Sequence, residues 1–119
     1  MRMNELVRLP RGWDGYSAAP VTFANAQFAL RLLEAVSPAN VAAPQIVPGS
    51  SGDLQIEWHT LNGDVELHVQ APNQVHAWRL LARATSDAEE LQLSNDFTAL
   101  VAWVKDVTET PRVTNAAAA

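Results

Sequence analysis

Residues 54–71, LQIEWHTLNGDVELHVQA, determine the predicted fold because two alternating runs flank an Asn-Gly pair. In both runs apolar residues recur at every second position, which is the period of a strand with one buried face. The residues predicted on the apolar face are Leu54, Ile56, Trp58, Thr60, Val65, Leu67 and Val69. Asn62-Gly63 favours a type I′ turn, in which both central residues have positive φ. The stretch therefore predicts an antiparallel hairpin.

A two-residue loop at Asn62 and Gly63 also sets the register of the predicted hairpin. On the apolar face it pairs Thr60 with Val65, Trp58 with Leu67, Ile56 with Val69, and Leu54 with Ala71. On the other face it pairs His59 with Glu66, Glu57 with His68, and Gln55 with Gln70. Apolar side chains meet apolar or β-branched partners, and each histidine meets a carboxylate. A shift of one residue would destroy this agreement, which favours the register.

One amphipathic helix is predicted before the hairpin and one after it. The first has Thr22 as its N-cap and stops at Val36, because Ser37-Pro38 disfavours a further helical turn. Its apolar stripe comprises Phe23, Ala26, Ala29, Leu30, Leu33 and Val36. The second has Ser94 as its N-cap and Asp96 in its first turn. Its apolar stripe comprises Phe97, Leu100, Val101, Val104 and Val107, widened by Trp103.

The remaining segments are predicted as a connector and further strands. Three prolines and two glycines between residues 38 and 52 favour a connector with at most a short edge strand at Gln45–Val47. Residues 75–93 fit two interpretations. One is a helix, because AWRLLARA has high helix propensity. The other is a strand to Ala82, a turn at residues 85–87 and a strand at Glu90–Leu93. The strands are favoured. The predicted core tryptophans are Trp58, Trp78 and Trp103, and His76 is predicted to be partly buried and hydrogen-bonded.

These elements predict an α+β fold in which two helices pack on one face of an antiparallel β-meander of three to four strands (α-β-β-β-β-α). Residues 1–107 are predicted to form a single domain, because a chain of 119 residues is near the commonest domain size. Residues 108–119, TETPRVTNAAAA, lack apolar periodicity and are predicted to be a disordered tail.

Composition excludes several classes of protein. The chain has no cysteine, which excludes a disulfide framework, a thiolate zinc site and a cysteine nucleophile. No segment approaches the roughly 18 apolar residues of a membrane span, and a net charge of −5 disfavours anionic lipid and nucleic acid. Arg2, Arg8 and Arg11 leave open a basic arm that contacts nucleic acid, although a solvated terminus is favoured. The expected location is the cytoplasm.

The predicted register creates one cluster of titratable groups on the outer face of the hairpin. Its members are Glu57, His59, Glu66 and His68. Imidazole and carboxylate groups together can bind a metal or transfer a proton, but cross-strand charge pairs also simply stabilise a solvated sheet, which is the favoured interpretation. No cofactor is predicted, and the chain has no P-loop, G-x-G-x-x-G, H-E-x-x-H or EF-hand motif, which argues against an enzyme.

The string GWDGY, residues 12–16, is the most unusual local sequence in the chain. Asp-Gly favours a turn, and the segment precedes the first predicted helix. Trp13, Asp14 and Tyr16 are candidate partner-binding residues, because aromatic side chains dominate protein interfaces. The favoured alternative is that Trp13 anchors the amino-terminal segment over the core.

The strings LPRGWDGYSAAPVT, PQIVPGSSGDLQIEWHT and NGDVELHV, in this order, resemble a widespread group of small uncharacterised bacterial proteins. Members of that group share a G-W-D-G-Y-x-A-x-P segment, an amphipathic helix and a G-x-x-x-x-E-W element that leads into a hairpin. The resemblance covers roughly residues 9–70. It implies a compact bacterial α+β domain without an established activity. It also implies that the architecture uses Gly12, Trp13, Asp14, Gly15, Glu57 and Trp58.

The expected function is that of a small cytoplasmic protein-interaction module, an accessory or antitoxin-like regulator without catalytic activity. A free sheet face or edge would bind another protein or a second copy of the chain, and no membrane partner is expected. The alternative is a small-molecule or metal-binding domain that uses the acid and histidine face of the sheet. A third hypothesis, not favoured, is a nucleic-acid accessory that uses the amino-terminal arginines.

Overall fold

The structure, a computed structural model, describes residues 2–15, 18–37, 43–83 and 87–109. In chain order its elements are helix α1 (Arg2–Val7), helix α2 (Phe23–Val36), strands β1 (Gln45–Pro48), β2 (Leu54–Thr60), β3 (Gly63–Ala71), β4 (Gln74–Leu81) and β5 (Glu89–Leu93), and helix α3 (Thr98–Thr108). The predicted α+β class is confirmed. Helix α1, which has only six residues and no sequence cap signal, was not predicted.

The five strands form one antiparallel sheet in the order β1-β2-β3-β4-β5, so each strand pairs with its neighbours along the chain. The strand interpretation of residues 75–93 is confirmed by β4 and β5, and the short edge strand is confirmed by β1. Residues 85 and 86 of the predicted turn at 85–87, and residues 110–119 of the predicted tail at 108–119, lie outside the described residues; Thr108 belongs to α3.

The hairpin of β2 and β3 has the predicted faces but a different register. Trp58 lies opposite Val65, and the loop residues are Leu61 and Asn62, neither of which has positive φ, so the predicted type I′ turn is wrong. The actual register differs by two residues, and a shift of two leaves every side chain on its predicted face. The predicted pairs of His59 with Glu66 and of Glu57 with His68 are therefore also wrong.

Gly63 belongs to strand β3 because strand β4 passes close to it. A Cβ atom at this position would lie 2.6 Å from the carbonyl oxygen of Leu80 and 2.8 Å from the Cα atom of Leu81. Its φ of 145° is also one that residues with a side chain rarely adopt. Glycine is thus required at this position by strand β4, which does not belong to the hairpin from which the register was predicted.

Helix α2 has the predicted bounds, and the Thr22 side chain accepts a hydrogen bond from the Asn25 N–H at 3.1 Å, as an N-cap does. Its predicted stripe is partly wrong, since Phe23 in the first turn is 68% exposed. The buried residues of the helix are Asn25, Ala26, Ala29, Leu32 and Val36. The helix therefore packs through these residues and leaves Phe23 in solvent.

Helix α3 begins at Thr98, four residues after the predicted N-cap at Ser94. Ser94 directly follows strand β5, and its carbonyl accepts a hydrogen bond from Asn73 Nδ2 at 2.9 Å. The side chain of Asp96 accepts the Thr98 N–H at 3.0 Å, so Asp96 lies outside the helix rather than in its first turn. The predicted stripe holds except at Val101, which is 41% exposed.

The core lies between the three helices and one face of the sheet. Apolar residues of β2, β3 and β4 face α2 and α3, and Met3 and Leu6 of α1 complete the buried cluster. Trp58 and Trp103 are buried there, as predicted. The prediction that Trp78 is a core residue is wrong: the inward face of β4 carries Val75 and Ala77, and the pleat places Trp78 on the other side.

Candidate functional site

The side of the sheet that faces away from the helices is called the open face below. No helix among the described residues packs on it. All three histidines of the chain lie on this face, together with four carboxylates and one tryptophan. Its central residues are Gln55, Glu57 and His59 on β2, Asp64, Glu66 and His68 on β3, His76 and Trp78 on β4, and Glu90 and Gln92 on β5.

Glu57, His59 and Glu66 form the first of two histidine clusters on the open face. Each can offer one ligand atom, and the three ligand atoms lie within 4.8 Å of one another. Glu57 and His59 lie on the same face because they are two residues apart on β2, and Glu66 lies directly opposite Glu57 on β3. Of the described residues, these three are the group whose geometry could hold a metal ion.

Both ring nitrogens of His59 face carboxylates. The Nε2 atom lies 2.9 Å from Glu57 Oε1, and the Nδ1 atom lies 2.9 Å from Asp64 Oδ1. The hydrogen bonds to Glu57 and to Asp64 raise the pKa of His59 above its ordinary value, although partial burial opposes them. The imidazole therefore sits between two negative charges that favour a positive charge at this point.

His68 belongs to a second cluster, whose partner is Asp53 rather than the predicted Glu57. The His68 Nε2 atom lies 2.5 Å from Asp53 Oδ2. Burial raises the pKa of Asp53, but hydrogen bonds from His68 and from the Ser51 N–H outweigh it, so the pKa lies below its ordinary value. Asp53 thereby joins the loop before β2 to the open face. Of the four predicted residues, Glu57, His59 and Glu66 thus belong to the first cluster and His68 belongs to the second.

A shallow depression of about 320 Å³ lies on the open face beside the second cluster. Its lining residues are Gln55, Glu66, His68, His76 and Trp78. His76 lies opposite His68, is half-buried, and has its Nε2 atom 3.7 Å from Glu90 Oε1. Trp78 forms the apolar part of the wall. This surface combines a large aromatic ring with imidazole and carboxylate groups, which suits a side chain with both apolar and charged parts.

The amino-terminal loop uses its tryptophan internally. Trp13 Nε1 donates to the Ala19 carbonyl at 2.7 Å, and Asp14 Oδ1 accepts the Ala18 N–H at 3.3 Å. These bonds close the loop. That Trp13 anchors the amino-terminal segment over the core stays a prediction. Tyr16, the third candidate partner-binding residue, lies outside the described residues.

Sequence reasoning did not assign Asp53, Asp64 or Glu90 to the open face. It placed His76 and Trp78 together on one face of their strand but took that face to be the inward one. Asp64 is two residues before Glu66, so the period of two could have placed these two on one face. The position of Asp53 depends on the loop of residues 49–53, where the Gly49 N–H donates to the Asp53 carbonyl at 2.9 Å. That contact has no signal in the sequence.

No protein-family model, curated protein or solved structure matches this chain. No helix in the described ranges is both long and apolar enough to cross a membrane.

Proposed function

We propose that this domain is a protein-interaction module that binds a basic segment of a partner protein on its open face. The observation that carries the proposal is the position of Trp78. A half-buried tryptophan lies on a side of the sheet where no described helix covers it, between Glu66 on β3 and Glu90 on β5. Tryptophan is among the residues that dominate binding energy in protein interfaces.

The other three tryptophans have structural roles. Trp58 and Trp103 are buried in the core, and Trp13 is hydrogen-bonded within its own loop. Packing in the described part of the chain gives Trp78 no comparable role, because it lies on the face opposite the core. Its ring is therefore available to a partner, which could place a guanidinium or ammonium group over it.

The charge of the open face favours a basic partner. Glu57, Asp64, Glu66 and Glu90 lie on it, whereas the described strands place no lysine or arginine there. The arginine of β4, Arg79, points to the helix side, where it contacts Glu89 at 2.6 Å and Asp106 at 3.2 Å. A surface on which carboxylates outnumber cationic groups attracts a basic partner and accelerates its association.

The edges of the sheet are less suited to binding than the face. Strand β1 has four residues and ends in Pro48, which has no N–H to donate to an added strand. Strand β5 carries Glu89 and Glu90 side by side, and charged side chains on an edge oppose strand addition. These features support recognition by side chains of the open face rather than self-association through an edge.

Selection from a displayed library of random peptides tests this proposal. We expect the enriched peptides to be rich in lysine and arginine and to bind more weakly as salt concentration rises. Trp78→Ala should lower their affinity by at least tenfold, or about 1.4 kcal/mol. Glu90→Lys should also weaken binding, because it reverses one charge at an exposed position.

Phe23→Ala is the matched control, since it removes a large exposed aromatic ring from the helix side of the domain. It should leave peptide affinity unchanged. Peptides without basic residues, or equal affinities of the wild type and Trp78→Ala, would contradict the proposal. Loss of binding in Phe23→Ala alone would place the interface on the helices.

A further inference from the structure

We propose that Glu57, His59 and Glu66 form a binding site for a zinc ion, in which Asp64 orients the histidine. The site shares Glu57, Asp64 and Glu66 with the charged surface proposed above but does not include Trp78, so zinc binding and peptide binding are tested with different variants. Zinc is bound in proteins by imidazole nitrogen and carboxylate oxygen, and sites with three protein ligands leave the fourth position to water. One imidazole and two carboxylates on a solvent-facing sheet provide that ligand set.

The position of the two glutamates favours a cation between them. Glu57 and Glu66 are direct cross-strand neighbours on the open face. Two like charges directly opposite each other destabilise a sheet unless a cation lies between them. Of the described residues, His59 is the one whose ring lies within reach of both carboxylates.

The hydrogen bonds of His59 also favour a cation, because the ring has two carboxylate neighbours. A neutral imidazole has one N–H, yet both ring nitrogens lie 2.9 Å from carboxylate oxygens, which only accept hydrogen bonds. If Nδ1 donates to Asp64, the Nε2 lone pair faces the oxygen of Glu57. That second contact is favourable only if a cation, a proton or a metal ion, lies between the two atoms.

Asp64 is placed to orient the ring of His59 for metal binding. Histidines that bind metals almost always donate their other ring N–H to a carboxylate or carbonyl group, which fixes the tautomer and the orientation of the ring. Asp64 occupies that place, 2.9 Å from Nδ1, and leaves Nε2 facing Glu57. A protonated His59 would donate its two N–H groups to Asp64 and Glu57, whereas this arrangement also brings the carboxylate of Glu66 within 4.8 Å of the histidine ligand atom.

The site needs only small side-chain movements to bind the ion. Zinc holds its ligands at about 2.0–2.2 Å, so ligand atoms now within 4.8 Å of one another must move slightly closer. The side chains of His59 and Asp64 are 44% and 38% exposed, which leaves room for this adjustment and for a bound water.

Calorimetric titration of the chelator-treated protein with zinc chloride tests the site. We expect one zinc ion per chain and a rise in the melting temperature that grows with zinc concentration. His59→Gln and Glu66→Gln should each lower the affinity at least tenfold. Asp64→Asn should lower it by about 10- to 100-fold, although Asp64 is not a ligand. Circular dichroism of the zinc-free variants verifies that each one folds, and Glu66→Gln on β3 tests the site if His59→Gln does not fold.

His76→Gln is the matched control, because His76 lies on the same face but outside the cluster. Its zinc affinity should equal that of the wild type. Absence of heat and of thermal stabilisation in the wild type would overturn the proposal. Zinc binding that persists in His59→Gln and Glu66→Gln but is lost in His76→Gln would also overturn it, since the ion would then be bound by the facing pair of His68 and His76.

Discussion

The hydroxyl of Thr60, at the end of strand β2, donates a hydrogen bond to the carbonyl oxygen of Val107 in the last turn of helix α3, at a distance of 2.6 Å. Asn62 in the hairpin loop makes a similar contact, because its Nδ2 donates to the Glu109 carbonyl at 2.6 Å. Carbonyls at the end of a helix have no partner within it. The hairpin loop therefore caps helix α3.

Replacing Thr60 tests this cap. Thr60→Val keeps the shape of the side chain but leaves the Val107 carbonyl without its donor, so we expect the free energy of unfolding to fall by about 1 kcal/mol. Thr60→Ser keeps the hydroxyl and should be less destabilised, which urea denaturation would measure. Equal stabilities of the two variants would show that the hydroxyl contributes nothing to the cap.

Gly63→Ala should destabilise the protein more than Gly15→Ala. Both glycines have positive φ, 145° and 86°, but only Gly63 has atoms within contact distance of an added Cβ. The common backbone strain costs about 1–2 kcal/mol, and the collision with Leu80 should add at least about 1 kcal/mol. Thermal melts of the two variants measure the difference. If Gly15→Ala proved as destabilised as Gly63→Ala, crowding by β4 would not be the reason for the glycine.

The hydrogen bond between Asp53 and His68 predicts a loss of stability in acid. The pKa of Asp53 lies below its ordinary value of 3.8, so the carboxylate contributes stability above that pH and loses it as the pH falls through the lowered pKa. Asp53→Asn should therefore cost about 1 kcal/mol at pH 5 and progressively less toward pH 2. Urea denaturation at several pH values measures this convergence.

Glu34→Gln on the exposed side of helix α2 serves as the control for that series. The free energy of unfolding of this variant should stay close to that of the wild type at every pH. A constant difference between Asp53→Asn and the wild type down to pH 2 would mean that the ionised carboxylate is not the stabilising form.

The alternation in residues 54–71 was enough to predict the hairpin and its buried face, because side chains of a strand alternate strictly. The register was wrong because a shift of two residues preserves that alternation, and the choice between registers depends on β4 packing against Gly63. Local turn statistics for Asn-Gly contain no information about a third strand.

The candidate site was predicted in part for the same reason. The predicted residues Glu57, His59, Glu66 and His68 do lie on one face. In the actual register, however, His59 is hydrogen-bonded to Asp64 and Glu57, and His68 is hydrogen-bonded to Asp53. Trp78 was placed in the core because it alternates with Leu80 and Ala82, so that face of the strand was taken as the apolar one. Which face of β4 is inward depends on its register with β3, where Ala77 lies opposite the buried Leu67.

The strict alternation of the sheet has a consequence for engineering. In β2 and β3 the positions that form the core and the positions that meet solvent interleave along the same strands. A combinatorial library could therefore randomise every second residue of these strands without changing the packed interior, and the domain could serve as a cysteine-free scaffold for new recognition surfaces.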